Sequence, residues 1–164
     1  MTRLKLVPAT IAHLVALQSD SAAFGDLIGS PVPKGWPEFP ESVDFTLDRL
    51  RAHPDEADWW MHFFLADSTL VGSGGFTGLP SQRTVEIGYE IAPQFRGRGF
   101  ATAAAAQLID KARRSGGVDA VIAHTLAEHN PSTGVLRKLG FEWAGEVPDP
   151  EQGTVWRWRL PLTA

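Results

Sequence analysis

One stretch of the sequence carries most of the information about the fold: Val85-Glu-Ile-Gly-Tyr-Glu-Ile-Ala-Pro-Gln-Phe-Arg-Gly-Arg-Gly-Phe-Ala-Thr102. Its first part predicts a β-strand over Val85–Ile91 that ends at Pro93. Its last part opens an alanine-rich helix, predicted over Gly99–Arg114 and stopped by Gly116 and Gly117. The stretch therefore predicts a strand, a tight glycine-bearing turn and a helix.

The turn between this strand and helix has the properties of an anion-binding site. The first N–H groups of a helix have no partner within it, and the helix dipole adds about half a positive charge there. Gly97 and Gly99 carry no side chains, so a phosphate oxygen can approach these amides. Arg96 and Arg98 add full charges beside them. The turn is thus predicted to hold a phosphate-bearing ligand.

Working outward, the remaining pattern mixes strands, hairpins and helices, which predicts an α+β fold. Further strands are predicted at Leu4–Val7, Trp59–Ala66, Thr69–Phe76, Val118–Leu126, Trp143–Val147 and Thr154–Leu160. Further helices are predicted at Ile11–Ser19 with Thr10 as N-cap, at Ser42–Ala52 and at Pro131–Leu139. Gly29–Pro40, rich in proline, is predicted to be a loop, and the glycines of Thr69–Phe76 indicate a twisted or bulged strand.

The composition limits the class of protein. The 164 residues predict a single domain over residues 1–164. Cysteine is absent, which excludes disulfides, cysteine-bound zinc, iron–sulfur clusters and a cysteine nucleophile. A net charge of −4 argues against a nucleic-acid-binding protein. No apolar run reaches the roughly 18 residues of a membrane span. We therefore expect a cytoplasmic protein with no membrane partner.

The charge is unevenly distributed along the chain. Residues 1–70 carry ten acids and five bases, a net charge of −5, whereas residues 91–141 carry seven bases and three acids, a net charge of +4. An anionic ligand is expected to prefer the second region. Ordinary surface charge is the alternative interpretation.

Two motifs resemble one known family. Gln94-Phe-Arg-Gly-Arg-Gly99 fits the Gln/Arg-x-x-Gly-x-Gly/Ala pyrophosphate loop of the GCN5-related N-acetyltransferases (GNAT). The flanking Glu86-Ile-Gly-Tyr89 and Phe100-Ala-Thr102 are similar to the subgroup that acetylates ribosomal-protein N-termini. Asn130-Pro-Ser-Thr-Gly-Val-Leu-Arg-Lys-Leu-Gly-Phe141 resembles the same subgroup, except that Asn130 lies two residues before Ser132 rather than three, and His129 occupies the usual asparagine position.

The resemblance implies a single GNAT-like domain. Its central sheet is mixed and mostly antiparallel, with helices on both faces. A splayed parallel pair, Val85–Ile91 and Val118–Leu126, forms the cleft for acetyl-CoA, the only cofactor expected. The backbone of Glu90, Ile91 and Ala92 would pair with the pantetheine arm, and amides from Arg96 to Ala101 would hold the pyrophosphate. The cofactor-binding residues so implied are Glu90, Ile91, Ala92, Gln94, Arg96, Gly97, Arg98, Gly99, Phe100, Ala101, Asn130, Ser132 and Lys138.

The resemblance also implies direct attack of a neutral amine on the thioester, which needs a base and an acid. Glu86 is the candidate base, acting through a water, and Ser132 is the candidate acid. A backbone N–H near Tyr89 or Ile91 would stabilise the oxyanion. For each side chain a structural alternative stays open: a solvated or ion-paired strand glutamate for Glu86, and an ordinary first-turn serine for Ser132.

Other residues are assigned less specific roles. Asp26, Trp36 and Tyr89 are predicted to contact the acceptor, with Trp36 alternatively pinning its loop to the core. Asn130 is alternatively a helix cap only. His13, His62 and His124 are expected to be structural or substrate-lining. No cluster has metal-ligand spacing, so no metal is expected.

The leading hypothesis is an acetyl-CoA-dependent N-acetyltransferase that acts on a protein N-terminus or a small amine. The expected partners are acetyl-CoA and an amine acceptor, with no nucleic acid, in a monomer or homodimer. One alternative is a non-catalytic acyl-CoA-binding sensor on the same fold. Another is a structural domain whose glycine turn binds nothing.

Overall fold

Residues 3–162 are described by a computed structural model, in which they form seven strands and five α-helices. In chain order these are β1 (Leu4–Pro8), α1 (Ile11–Ser19), α2 (Ser21–Ile28), α3 (Glu41–Ala52), β2 (Met61–Ala66), β3 (Thr69–Phe76), β4 (Thr84–Ile91), α4 (Phe100–Ser115), β5 (Ala120–Leu126), α5 (Pro131–Lys138), β6 (Glu142–Asp149) and β7 (Gly153–Pro161). Two short 3₁₀ helices cover Pro54–Trp59 and Pro93–Phe95.

The strands form one sheet in the order β1-β2-β3-β4-β5-β7-β6. Every neighbouring pair is antiparallel except β4 and β5, which are parallel. The prediction of a mixed, mostly antiparallel α+β sheet is confirmed.

The parallel pair separates partway along its length. The β4–β5 register runs from Thr84 opposite Ala120 to Glu86 opposite Ile122 and then stops. Beyond Glu86, β4 continues beside β3, while β5 continues beside β7. A wedge-shaped opening therefore lies between the C-terminal halves of β4 and β5, as predicted, with Glu86 at its narrow end.

Two hydrophobic clusters cover the two faces of the sheet. One contains Leu108 and other residues of α4, and the second contains Leu14 of α1, Phe24 of α2 and Leu47 of α3. Consecutive residues of β2, Phe63 and Phe64, belong to opposite clusters, because strand side chains alternate between faces. Helices on both faces are thus confirmed.

The glycines of β3 allow the strands to approach closely. A Cβ atom on Gly74 would overlap the Gly88 carbonyl, and one on Gly75 would overlap the Trp60 carbonyl. Phe64 pairs with Gly72 while Leu65 pairs with Leu70, so one residue of β3 is bulged out. The interpretation of a bulged strand is confirmed.

The structure differs from the predicted elements at two places. Helix α2 was not predicted: Asp20 ends α1 and caps α2, its carboxylate accepting from the Ala22 and Ala23 amides at 3.1 and 3.2 Å. The 3₁₀ helix Pro54–Trp59 delays the start of β2 to Met61. Elsewhere predicted and observed boundaries are close, and Thr10 caps α1 as expected. Within residues 3–162, no helix has the length and apolar character needed to cross a bilayer.

Candidate active site

The backbone of β4 presents alternate residues to the wedge-shaped opening. The Thr77 amide donates to the Glu86 carbonyl at 3.0 Å, and the Ala92 amide donates to the Val71 carbonyl at 2.8 Å. Even-numbered residues therefore turn their backbone groups toward β3. By alternation, the groups of odd-numbered residues such as Tyr89 face the opening.

This alternation corrects the predicted backbone contacts of Glu90 and Ala92. Both backbone groups of Ala92 are bonded within the protein, and the Glu90 carbonyl lies against Gly72 of β3. The Ile91 carbonyl accepts from Arg96 Nε at 3.0 Å. The edge that an extended ligand can pair with is therefore formed by the backbone groups of Tyr89 and the amide of Ile91.

The turn before α4 is an open cradle of backbone amides. Gly97 and Gly99 have φ values of 77° and 83°, which favour glycine, and a Cβ on either would meet open space. Gly99 caps α4 without a side-chain bond, so the first-turn amides of Phe100 and Ala101 are left to an external acceptor. The prediction of an anion cradle agrees with this geometry.

The side chains around the cradle brace it. The Gln94 carboxamide pairs with the Lys34 backbone, at 3.2 Å to the carbonyl and 3.3 Å to the amide. Arg96 is 3.5 Å from the Glu38 carboxylate, and the Arg98 guanidinium lies over the Phe95 ring at 5.7 Å. Gln94 and Arg96 therefore tie the turn to the neighbouring loop, and their predicted role in cofactor binding stays a prediction.

The expected basic region is only partly gathered at the cradle. Arg113 and Arg114 lie in the last turn of α4, at the end opposite the cradle, and Arg114 pairs with Asp110 at 2.9 Å. Lys111 pairs with Asp58 at 2.9 Å. The excess of bases in residues 91–141 therefore does not form one positive surface.

Glu86 belongs to a chain of three side chains across the sheet. His124 Nδ1 lies 3.1 Å from Glu86 Oε2, and Arg157 Nε donates to His124 Nε2 at 3.2 Å. Because a guanidinium only donates, Nε2 must accept, which places the imidazole proton on Nδ1, where it is donated to Glu86. Glu86 is therefore hydrogen-bonded to a histidine side chain, and the alternative of a solvated or ion-paired strand glutamate stays open.

The start of α5 holds the predicted serine. Asn130 Oδ1 accepts from the Thr133 amide at 3.1 Å, so this residue caps the helix as expected. His129, in the position of the family asparagine, packs edge-on against Trp156 at 5.2 Å between ring centroids. Ser132 is exposed in the first turn. Lys138 is exposed in the last turn of the same helix and lines neither cavity described below.

A cavity of about 520 Å³ brings the two predicted catalytic side chains together. Glu86 and Ser132 both line it. Its other lining residues are His124, Thr125, Leu126, Asn130, Val147, Pro148, Asp149, Gln152 and Val155. We call this the catalytic cavity.

A second cavity of about 430 Å³ lies farther along the same face of β4. It is lined by Phe39, Ser42, Phe45, Thr46, Trp60, Met61, Gly88, Tyr89, Glu90 and residues 73–77. We call it the apolar cleft. Burial raises the pKa of Glu90, although the Glu38 amide, which donates to this carboxylate at 3.2 Å, opposes that shift.

The predicted acceptor contacts are only partly supported. Trp36 is 6% exposed, lies within the core around α1–α3, and donates from Nε1 to Ser73 Oγ at 3.0 Å. It pins its loop to the core, as the alternative held, and does not line the apolar cleft. Asp26 is exposed on α2 and lines neither cavity. Tyr89 lines the apolar cleft, and burial raises its pKa to about 12, so the phenol stays protonated.

Sequence reasoning missed Arg157, which was not singled out, and placed His124 only as a lining residue. The two lie directly opposite each other in the β5–β7 register. Among residues 3–162, no group of three side chains is suited to hold a metal ion.

A splayed parallel pair, with an amide cradle at the start of the following helix, defines the acetyltransferase class of α+β folds. The sequence matches the acetyltransferase (GNAT) domain over residues 3–142. The chain belongs to the GNAT acetyltransferase family.

Solved structures share the fold at low sequence identity. RimJ of Mycobacterium smegmatis, in complex with a CoA disulfide, has a TM-score of 0.71 and 20% identity, covering 97% of this chain and 82% of that one. A Salmonella typhimurium acetyltransferase that modifies the N-terminal serine of ribosomal protein L7/L12 has a TM-score of 0.71 and 17% sequence identity. The match covers 99% of this chain and 97% of that one. A chimera of the Vibrio cholerae spermidine N-acetyltransferase SpeG with hSSAT has a TM-score of 0.69 and 16% sequence identity. The match covers 96% of this chain and 95% of the chimera.

Proposed function

We propose that this protein transfers an acetyl group from acetyl-CoA directly to the nitrogen of a primary amine. The observation that carries the proposal is the shared cavity of Glu86 and Ser132, at the narrow end of the wedge-shaped opening. A carboxylate and a hydroxyl in one cavity supply the base and the acid that this reaction needs. The acceptors named for similar structures, an N-terminal serine and spermidine, are both primary amines.

The cofactor would lie along the opening. Its pyrophosphate would accept hydrogen bonds from the first amides of α4, and its pantetheine arm would pair with the free edge at Tyr89 and Ile91. The fit rests on the open approach at Gly97 and Gly99. An N–H of the same β4 edge is the candidate donor to the acyl oxygen as negative charge develops on it.

Glu86 would take the proton that the acceptor ammonium must lose before its nitrogen can attack, directly or through a water. His124 positions this carboxylate by donating from Nδ1, and Arg157 holds His124 in the tautomer that can donate. His124 and Arg157 are therefore positioning residues in this proposal.

The attack forms the N–C bond, and collapse of the intermediate breaks the C–S bond. Ser132 would protonate the departing thiolate from the first turn of α5, where the helix dipole also favours negative charge. The nitrogen releases a second proton as the amide forms, which balances the proton that the sulfur takes up.

The test is release of free CoA from acetyl-CoA, measured with a thiol reagent, across N-terminal peptides, polyamines, aminoglycosides and amino acids. The protein itself has no thiol to interfere. We expect amine-dependent CoA release, together with a higher melting temperature in the presence of CoA. Stabilisation by CoA without release for any amine would favour an acyl-CoA sensor instead, and neither effect would favour a structural domain.

A further inference from the structure

The apolar cleft has walls of aromatic side chains. Phe39 and Phe45 are 53% and 58% exposed, and both line this cleft. Large exposed apolar side chains that converge on one concavity are typical of a ligand-binding groove. The volume of about 430 Å³ is within the range of small-molecule pockets, roughly 300–1,000 Å³.

The inner wall is rigidly held. Trp60 is 8% exposed, and its Nε1 donates to Glu56 Oε1 at 3.1 Å. Arg49 lies over the Trp60 ring at 5.3 Å and is itself bonded to Glu56 at 3.2 Å. Phe45 packs against Trp60 with ring centroids 5.6 Å apart. These contacts hold the aromatic wall of the cleft in place.

Gly88 lies on β4 between the residues that line the two cavities. Glu86, Gly88 and Glu90 face the same side of β4, so Gly88 lies about 7 Å along the strand from Glu86. Unlike Gly74 and Gly75, Gly88 is not required by packing, because a Cβ there would meet open space. A side chain at this position would project from the same side of β4 as Glu86, which lines the catalytic cavity, and Glu90, which lines the apolar cleft.

Charge inside the cleft is limited to Glu90, and this carboxylate already accepts from the Glu38 amide at 3.2 and 3.3 Å from its two oxygens. The remaining polar side chains, Ser42, Thr46, Ser73, Thr77 and Tyr89, are neutral, and Ser73 is bonded to Trp36. With one carboxylate among mostly aromatic and other uncharged residues, the cleft suits an apolar group of the acceptor.

We infer that the apolar cleft binds a bulky apolar group of the acceptor, so that the preferred substrates are primary amines with an aromatic or branched aliphatic group close to the amino group. The inference rests on the proposed acetyl transfer and specifies its substrate class. The amino group would lie at Glu86, and the apolar group would extend past Gly88 and pack against Phe45 and Trp60. A free amine and the first residue of a peptide both present this chemistry to the cleft, and the experiment below distinguishes them.

The experiment compares kcat/KM for 2-phenylethylamine, ethylamine and spermidine, and for two peptides that differ only in starting with Phe or Gly. We expect 2-phenylethylamine to exceed ethylamine by at least about tenfold, since even one methylene in an apolar pocket discriminates about 10- to 200-fold. A preference for the Phe peptide over 2-phenylethylamine identifies a peptide N-terminus as the source, and the reverse identifies a free amine. Spermidine or ethylamine as the better substrate overturns the inference.

Two variants locate the effect. Phe45→Ala is expected to lower kcat/KM for 2-phenylethylamine about tenfold relative to kcat/KM for ethylamine. Trp143→Ala, which removes an equally exposed aromatic (55%) outside both cavities, is the matched control and should change neither. Gly88→Val should exclude 2-phenylethylamine while the affinity for CoA stays unchanged. Equal effects of Phe45→Ala and Trp143→Ala would contradict the inference.

Failure of the proposed function is distinguishable from failure of this inference. Equilibrium dialysis of labelled 2-phenylethylamine with the CoA-saturated protein measures occupancy without catalysis. Binding that Phe45→Ala weakens supports the inference even if no amine is acetylated. Acetylation of small or polycationic amines, without binding of 2-phenylethylamine, overturns the inference and leaves the proposed function intact.

Discussion

The two halves of the site are formed by different kinds of groups, backbone in one and side chains in the other. The half proposed to face the cofactor is made of backbone groups from one continuous segment, residues 89–101, with Gly97 and Gly99 leaving the amides accessible. The half proposed to face the acceptor is made largely of side chains from several separate segments, including α3 and the start of β2, and is held by Trp36 and Trp60. A backbone cradle suits a ligand that does not vary, whereas a wall of side chains allows the acceptor to change by substitution.

The largest expected effect is at the junction of the halves. Glu86→Gln keeps the side-chain size but removes the base, so kcat should fall by about 10²–10⁴-fold at unchanged affinity for acetyl-CoA. Steady-state kinetics and calorimetric titration with CoA measure the two quantities. If Glu86→Gln retains wild-type kcat, Glu86 is an ordinary ion-paired strand residue.

The cofactor-facing half is tested at Gly97. Gly97→Glu puts a carboxylate and a strained left-handed residue into the cradle, and should weaken CoA binding by roughly 100-fold, since a backbone penalty of about 1–2 kcal/mol adds to charge repulsion. Gly116→Glu is the matched control, because Gly116 has a φ of 79° at the other end of α4. Calorimetry should show near-normal CoA binding for it; equal losses would mean that the cradle does not bind the pyrophosphate.

A smaller effect is expected for Arg157, which acts on the base Glu86 only through His124. Arg157→Met removes the donor to His124 Nε2 and frees the imidazole to change tautomer, so kcat should fall roughly fivefold, about the value of one hydrogen bond. The pH profile of kcat should change shape, and Arg157→Lys should restore part of it. Arg159→Met, two residues along the same strand, is the control. An unchanged pH profile would reduce Arg157 to a structural role.

The smallest effect on activity is expected for Trp36, which supports the acceptor-facing half from within the core. Trp36→Phe leaves buried Ser73 without its partner, at a cost of about 1–3 kcal/mol in the free energy of unfolding. The melting temperature should fall by several degrees, at about 2–4 °C per kcal/mol, as scanning calorimetry can measure. CoA affinity should not change. A changed KM for the amine at an unchanged melting temperature would restore Trp36 as a direct acceptor contact.

The difference between the two halves of the site also explains which features could be predicted from the sequence. The strand, turn and helix of residues 85–102 are contiguous, so local spacing was enough to predict them. Helix α2 was missed because it is short, contains Gly25 and begins on the residue that ends α1. Features that depend on contacts between distant residues could not be predicted from local patterns. Trp36, for example, is buried with a hydrogen bond to Ser73, which lies 37 residues away in the sequence.

The contact between the positioning residues His124 and Arg157 could not be predicted from the sequence for a related reason. His124 and Arg157 become neighbours only because β7 inserts between β5 and β6, which sets them opposite each other 33 positions apart. Their spacing in the sequence has no motif. The pair becomes evident only once the strand order is known.

The central claim is direct transfer between the two halves at Glu86. The most direct measurement is mass spectrometry of both amine and protein after incubation with isotopically labelled acetyl-CoA and 2-phenylethylamine. The account predicts labelled acetyl on the amine nitrogen, in a ratio of one to the CoA released, and none on the protein. Labelled protein that passes its acetyl group to the amine, or CoA release that does not depend on the amine, would contradict it.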